Sequence, residues 1–125
     1  MPKKVQWVGS SKEDLSAFPR DAKQDAGHQL HRVELGLDPD DWKPVKEVGK
    51  GVREICVSAD SGEYRAMYTT SVGDAVYVLH VFQKKTRRTS KPDIGLAKHR
   101  LKELLEQLRQ ARRNRDKSAG MDNAC

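Results

Sequence analysis

Lys84, Lys85, Arg87 and Arg88 crowd together just after an apolar run, Ala75 to Phe82, that only His80 interrupts. Cations gathered at the C-terminal mouth of a buried strand hold phosphate groups at a defined place; solubility alone does not require the concentration. Upstream, Arg65 stands inside a second strand-like run, Glu63 to Thr70. An arginine there is costly unless paired or solvated. It has two readings: a salt bridge to Glu54 or Glu63, or a planar guanidinium fork lining an open surface suited to phosphate. His80 has the side chain best suited to moving a proton near neutral pH, and its other reading is a tucked-in strand histidine bonded to backbone. Glu54 serves either as a base or as the partner of Arg65.

These residues need elements to position them. Lys4 to Val8 reads as a short first strand, and Ser10 or Ser11, followed by Glu13 and Asp14, reads as a helix cap. A second helix begins at Phe18-Pro19 and places Ala22, Ala26, Leu30, Val33 and Leu37 on one face before Gly36 and Pro39 end it. The Pro- and Gly-bearing segment from Asp38 to Gly51 reads as a long loop. Three strands follow at Val52–Ser58, Glu63–Thr70 and Ala75–Gln83, separated by turn-forming tetrapeptides. Ser90-Lys91-Pro92-Asp93 has the form of a capping box with Pro just inside, and opens a last helix that buries Ala97, Leu101, Leu104, Leu105 and Leu108. Beyond about Arg109 the composition turns polar, which predicts a disordered basic tail over 109–125 after a single domain spanning 1–108. The whole predicts an α+β fold: an N-terminal strand and helical hairpin, an antiparallel sheet of three to four strands, and a C-terminal helix, with helices covering one sheet face.

Two- or four-residue turns fix a register. In the first hairpin Cys56 then faces Arg65, and in the second Arg65 faces His80. The row Cys56–Arg65–His80 crosses an open face, while Ile55–Ala66–Leu79 and Val57–Tyr64–Val81 cross the helix-covered one.

Charge is distributed to match. The chain has 125 residues and a formal net charge of +6, yet residues 1–83 carry 11 Lys/Arg against 13 Asp/Glu, and residues 84–117 carry 13 against 4. A basic C-terminal third favours a polyanionic partner. Two cysteines make no disulfide framework, no apolar stretch is long enough to span a bilayer, and no secretion signal opens the chain. A cytoplasmic protein without a membrane partner is expected. His28 and His31 lie one helical turn apart without a third ligand, so neither a metal nor a cofactor is expected.

The series GVREI (51–55), EYRAMY (63–68) and VYVLHVFQKKT (76–86), with Ala97 and Arg100 in an A-x-x-R pattern, resembles the phage-derived branch of the RelE/HigB toxin superfamily. So does the run DPDDWKPVKEVGKGVREI (38–55), and the similarity spans roughly residues 4–108. The resemblance implies a compact microbial-RNase-like fold, the toxin half of a type II toxin–antitoxin pair, and ribosome-dependent endoribonuclease cleavage of mRNA that inhibits translation. It implies as partners the ribosome with its RNA and a cognate antitoxin, commonly a helix-turn-helix protein. Arg65 matches the arginine on that superfamily's central strand, and Lys84 and Lys85 match its basic cluster. One position departs: Cys56 stands where the branch usually carries Arg, which weakens the expected activity. Two alternatives remain, a non-catalytic or gyrase-directed toxin on the same fold and a phage-derived interaction protein.

RNA cleavage requires an aligned and deprotonated 2′-hydroxyl, stabilisation of the charge on the phosphorane, and a proton for the leaving 5′-oxygen. Arg65 with Lys84 or Lys85 suits the second role, His80 the proton transfer, and Glu54 either base or ion pair. Lys43, Lys46, Lys50 and Arg53 are expected to flank the same surface, and with Arg87, Arg88 and Lys91 are the candidates for contacting RNA. A solvated loop is the equal reading of the first four, and Trp7 and Trp42 read as core residues.

Overall fold

The computed structural model describes residues 2–124, with side chains over 2–116. Its elements are β1 (Val5–Trp7), α1 (Ser11–Ser16), α2 (Arg20–Glu34), β2 (Trp42–Pro44), β3 (Val52–Ala59), β4 (Gly62–Thr69), β5 (Val76–Lys84) and α3 (Lys91–Ala124). The strands form one sheet in the order β1-β5-β4-β3-β2, with β1 parallel to β5 and every other pair antiparallel. The expected α+β class holds, with five strands instead of three to four. The additional strand is β2, inside the stretch expected to be loop. Pro44 lacks a donor, which an edge strand tolerates, and its presence hid the strand.

Local chemistry sets the helix ends. Ser10 precedes α1 and donates to Asp14 Oδ2 at 2.7 Å. Gly36, at φ +84°, closes α2: its N–H bonds to Val33 O at 3.0 Å and that of Leu37 to Arg32 O at 2.9 Å, the paired bonds of a Schellman ending. Leu37 therefore falls outside the helix and is exposed, contrary to the expected face. At α3 the Asp93 N–H bonds back to Ser90 Oγ at 3.3 Å, which is half of the expected capping box.

Helices cover both faces of the sheet, a correction to the one-sided layer. Ala22, Ala26, Leu30 and Val33 of α2, with Leu15 of α1, bury Ile55, Val57, Tyr64, Ala66, Tyr68 and Val78 on one side. Ala97, Leu101 and Leu104 of α3 bury Val52, Met67, Tyr77 and Leu79 on the other. Past Leu104 the packing thins. Leu105 is exposed, contrary to expectation, and Leu108 is only partly covered. The helix nevertheless runs on to Ala124, with the side chains of 109–116 exposed, so helical structure continues past the boundary expected near residue 108.

The first hairpin has the expected register, with Cys56 opposite Arg65. The second does not. Arg65 lies opposite Phe82 and Met67 opposite His80; beyond an irregularity at Met67/Tyr68, Tyr68 lies opposite Val78. Leu79 is the extra residue of this bulge, and it packs on the same face as Met67, not with Ala66. The Arg100 guanidinium bonds the Leu79 carbonyl at 2.9 Å and Ser10 Oγ at 2.9 Å, tying α3 to the bulge and to the start of α1. Gly9, at φ +59°, lies directly beneath it; a Cβ there would stand 2.6 Å from Arg100 Nε.

Candidate functional site

The face of β3, β4 and β5 that α3 covers is only half covered. The row Glu54–Met67–His80 lies under or beside the start of α3, whereas the next row, Cys56–Arg65–Phe82, runs out into an open cleft of about 370 Å³. Cys56, Ser58, Glu63, Arg65, Lys84 and Arg87 line it, with Asp41 and Thr86.

Arg65 is mostly buried, and carboxylates hold it in place. Its Nε lies 3.2 Å from Oε1 of Glu54, a side chain with no solvent exposure. The two atoms are not aligned as a hydrogen bond and have no other hydrogen-bond partner among the described residues, so charge attraction holds the contact. One terminal nitrogen donates to Tyr64 O at 2.9 Å and to Glu63 Oε2 at 3.4 Å. Glu54 is compensated further by Lys43 Nζ at 3.6 Å and by the Thr89 hydroxyl, which donates to Oε2 at 3.0 Å. A buried carboxylate surrounded this way fixes the guanidinium at the base of the cleft. Ser58 Oγ lies 2.8 Å and 2.9 Å from the two oxygens of Glu63, and this bond, helped by Arg65 and opposed by desolvation, holds that carboxyl below its usual range.

Lys84, opposite Glu63, and Arg87 form the cationic rim, with Lys85, Arg88 and Lys91 exposed nearby in sequence. Burial pushes the Cys56 thiol up, against the downward pull of Arg65 across the strand pair. It therefore stays protonated at neutral pH and is a poor nucleophile.

His80 is not in this cleft, contrary to the expected row. It is buried, its Nε2 lies 2.7 Å from Asp93 Oδ1 at the start of α3, and its ring stacks on Phe82 at 4.7 Å. Asp93 thus both closes the helix cap and anchors the histidine. Lys43 adjoins the Arg65 face through Glu54, but Lys46, Lys50 and Arg53 do not flank it. Arg53 pairs across from Pro44 and Tyr68 on the opposite face, bonds Asp38 Oδ1 at 2.9 Å, and lies over the Trp42 ring at 3.9 Å. Ser58, Thr89 and Asp41 join the site without a sequence signal. Hydroxyls in polar segments carry no pattern that separates them from ordinary turn residues.

Chemically, the cleft is a fixed guanidinium with ammonium and guanidinium groups at its rim, an arrangement suited to an oxyanion such as a phosphodiester. The chain belongs to the family described as phage-derived protein Gp49-like, whose model matches residues 13–102, from α1 to the buried part of α3. No curated protein matches the chain. Among the described residues, no helix is long and apolar enough to cross a membrane, and no cluster of three metal-ligating side chains occurs.

Proposed function

We propose that this protein is the toxin of a type II toxin–antitoxin pair, an endoribonuclease that cuts mRNA on the ribosome and is held inactive by a cognate antitoxin. The observation that carries the reading is Arg65, clamped by buried Glu54 at the base of an open cleft with Lys84 and Arg87 at the rim. Membership of a phage-derived family and the L-H-x-F-x-K-K-T run over residues 79–86 support it. In this mechanism an RNA phosphate enters the cleft and displaces half-exposed Glu63 from Arg65. Arg65 and Lys84 then stabilise the phosphorane in a fixed geometry, which is where preorganised charge acts most strongly. His80, tied to Asp93, positions the start of α3 and takes no proton from substrate. Proton transfer falls to groups at the rim or to the ribosome.

Expression without an antitoxin should arrest growth and shorten ribosome-bound transcripts, and Lys84→Ala should relieve both. Cys56→Arg should strengthen them by placing a second guanidinium across from Arg65. Intact transcripts and normal growth with both the natural chain and Cys56→Arg would overturn the proposal. A second reading, a binding-only or gyrase-directed toxin, is favoured by two observations: the histidine is occupied by Asp93, and the thiol opposite Arg65 is protonated. DNA damage without mRNA decay would select it.

A further inference from the structure

A second basic groove lies apart from the Arg65 cleft, at the other end of β3 and along the β2 edge. It encloses about 420 Å³ between Trp42, Pro44, Lys46, Lys50, Val52 and Arg53, with glycines completing the turn. Its cations are lysines and an arginine, and among the described residues no carboxylate lines it. The floor is apolar and aromatic. The Arg53 guanidinium carbon lies 3.9 Å from the centroid of the Trp42 ring, and Asp38 grips the same guanidinium from outside at 2.9 Å. The Arg53 side chain still keeps 38% of its surface exposed. Nothing in the mechanism above uses this stack.

A guanidinium laid on an indole and pinned at its edge is a flat, charged platform. Such a surface receives a nucleobase by stacking, and ammonium groups beside it receive the flanking phosphates. An acidic peptide would be drawn by the same charges but has no use for the plane. We infer that the Trp42–Arg53 groove is a base-stacking subsite for single-stranded RNA, with Lys46 and Lys50 on the backbone. This inference rests on the reading above only in taking RNA as the ligand. The groove binds nucleotides away from the point of cleavage and orients the strand.

The test uses the full chain carrying Trp7→Phe, so that Trp42 is the remaining tryptophan and reports on its own environment. The probe is a short single-stranded RNA made uncleavable by 2′-O-methylation, beside an abasic strand with the same number of phosphates. The base-bearing strand should quench Trp42 saturably and bind about ten-fold more tightly than the abasic one. Arg53→Lys, which keeps the charge and loses the plane, should remove about that factor. Lys46→Ala and Lys50→Ala, at exposed positions that the fold does not need, should each lower the salt dependence by about 0.7. Equal binding of the abasic strand, an Arg53→Lys protein that melts normally and binds as before, or displacement of the RNA by polyglutamate would overturn the inference. Cleavage is not read in this assay. A chain that stacks RNA at Trp42 yet cuts no transcript would sink the nuclease proposal and leave the groove standing.

Discussion

One sheet face carries two neighbourhoods, an apolar one under α3 and a charged one beyond its cover. Toward the helix, Met67, Leu79 and Tyr77 are packed by Ala97, Leu101 and Leu104. One row away, Phe82 still belongs to the packed cluster, but Arg65 and Cys56 line an open, charged cleft. The junction between them is polar: Glu54 is ion-paired to Arg65 and hydrogen-bonded by Thr89, and His80 is bonded to Asp93. Burial therefore provides the stability, and the junction converts that rigidity into a fixed guanidinium. Cations left mobile on a solvated surface lack this; they lose side-chain entropy whenever they grip an anion.

The contrast can be broken at several points. Met67→Ala, at a fully buried position under α3, should cost about 3–4 kcal/mol in urea unfolding, since both transfer energy and a cavity are involved. A cost below about 1 kcal/mol would mean that α3 does not seal this half. At the junction, Arg65→Ala should cost about 3 kcal/mol, because Glu54 would stay buried with only Lys43 and Thr89 near it. Adding Glu54→Gln should recover part of that loss, and simple additivity of the two changes would show that they are not coupled. Next, His80→Gln should lower stability by about 1–2 kcal/mol through the Asp93 contact while leaving transcript cleavage within a few-fold. Loss of cleavage in a stable His80→Gln protein would return the histidine to the chemistry. In the open half, Lys84→Ala should change stability by less than about 0.5 kcal/mol yet abolish toxicity.

The smallest effect concerns Cys56. Its thiol is raised above the ordinary range in the folded chain, so thiolate is scarce at pH 8 and alkylation should lag behind that of a free thiol. Unfolding releases a thiol that ionises more readily, so the folded state binds more protons above the ordinary thiol pKa. The Cys56 contribution to stability therefore declines as pH rises through that range. Mass spectrometric alkylation rates for the Cys56 peptide, followed against pH, check the direction.

Much of this arrangement was legible in the residues. The strand bounds, the helix cap at Ser90 and the pairing of Cys56 with Arg65 follow from periodicity and a short turn. The second hairpin was not legible. Its run from Ala75 to Phe82 is apolar toward both helical layers, so no alternation marks where Leu79 slips in as a bulge. That one residue moved His80 out of the row with Arg65. The one-sided helical layer followed from that same register, which gathered Cys56, Arg65 and His80 on one face and left it open. Arg53 was misplaced for a different reason: β2 was hidden by Pro44, and without it no edge existed to give the groove a wall.

In the proposed mechanism Arg65, seated on Glu54, is the group that receives RNA phosphate. Following the arginine Nε–H resonances by NMR while titrating an uncleavable 2′-O-methyl RNA dinucleotide tests it most directly. The Arg65 signal should move saturably, and this response should weaken in Lys84→Ala. A stationary Arg65 signal, with shifts confined to arginines outside the cleft, would contradict it.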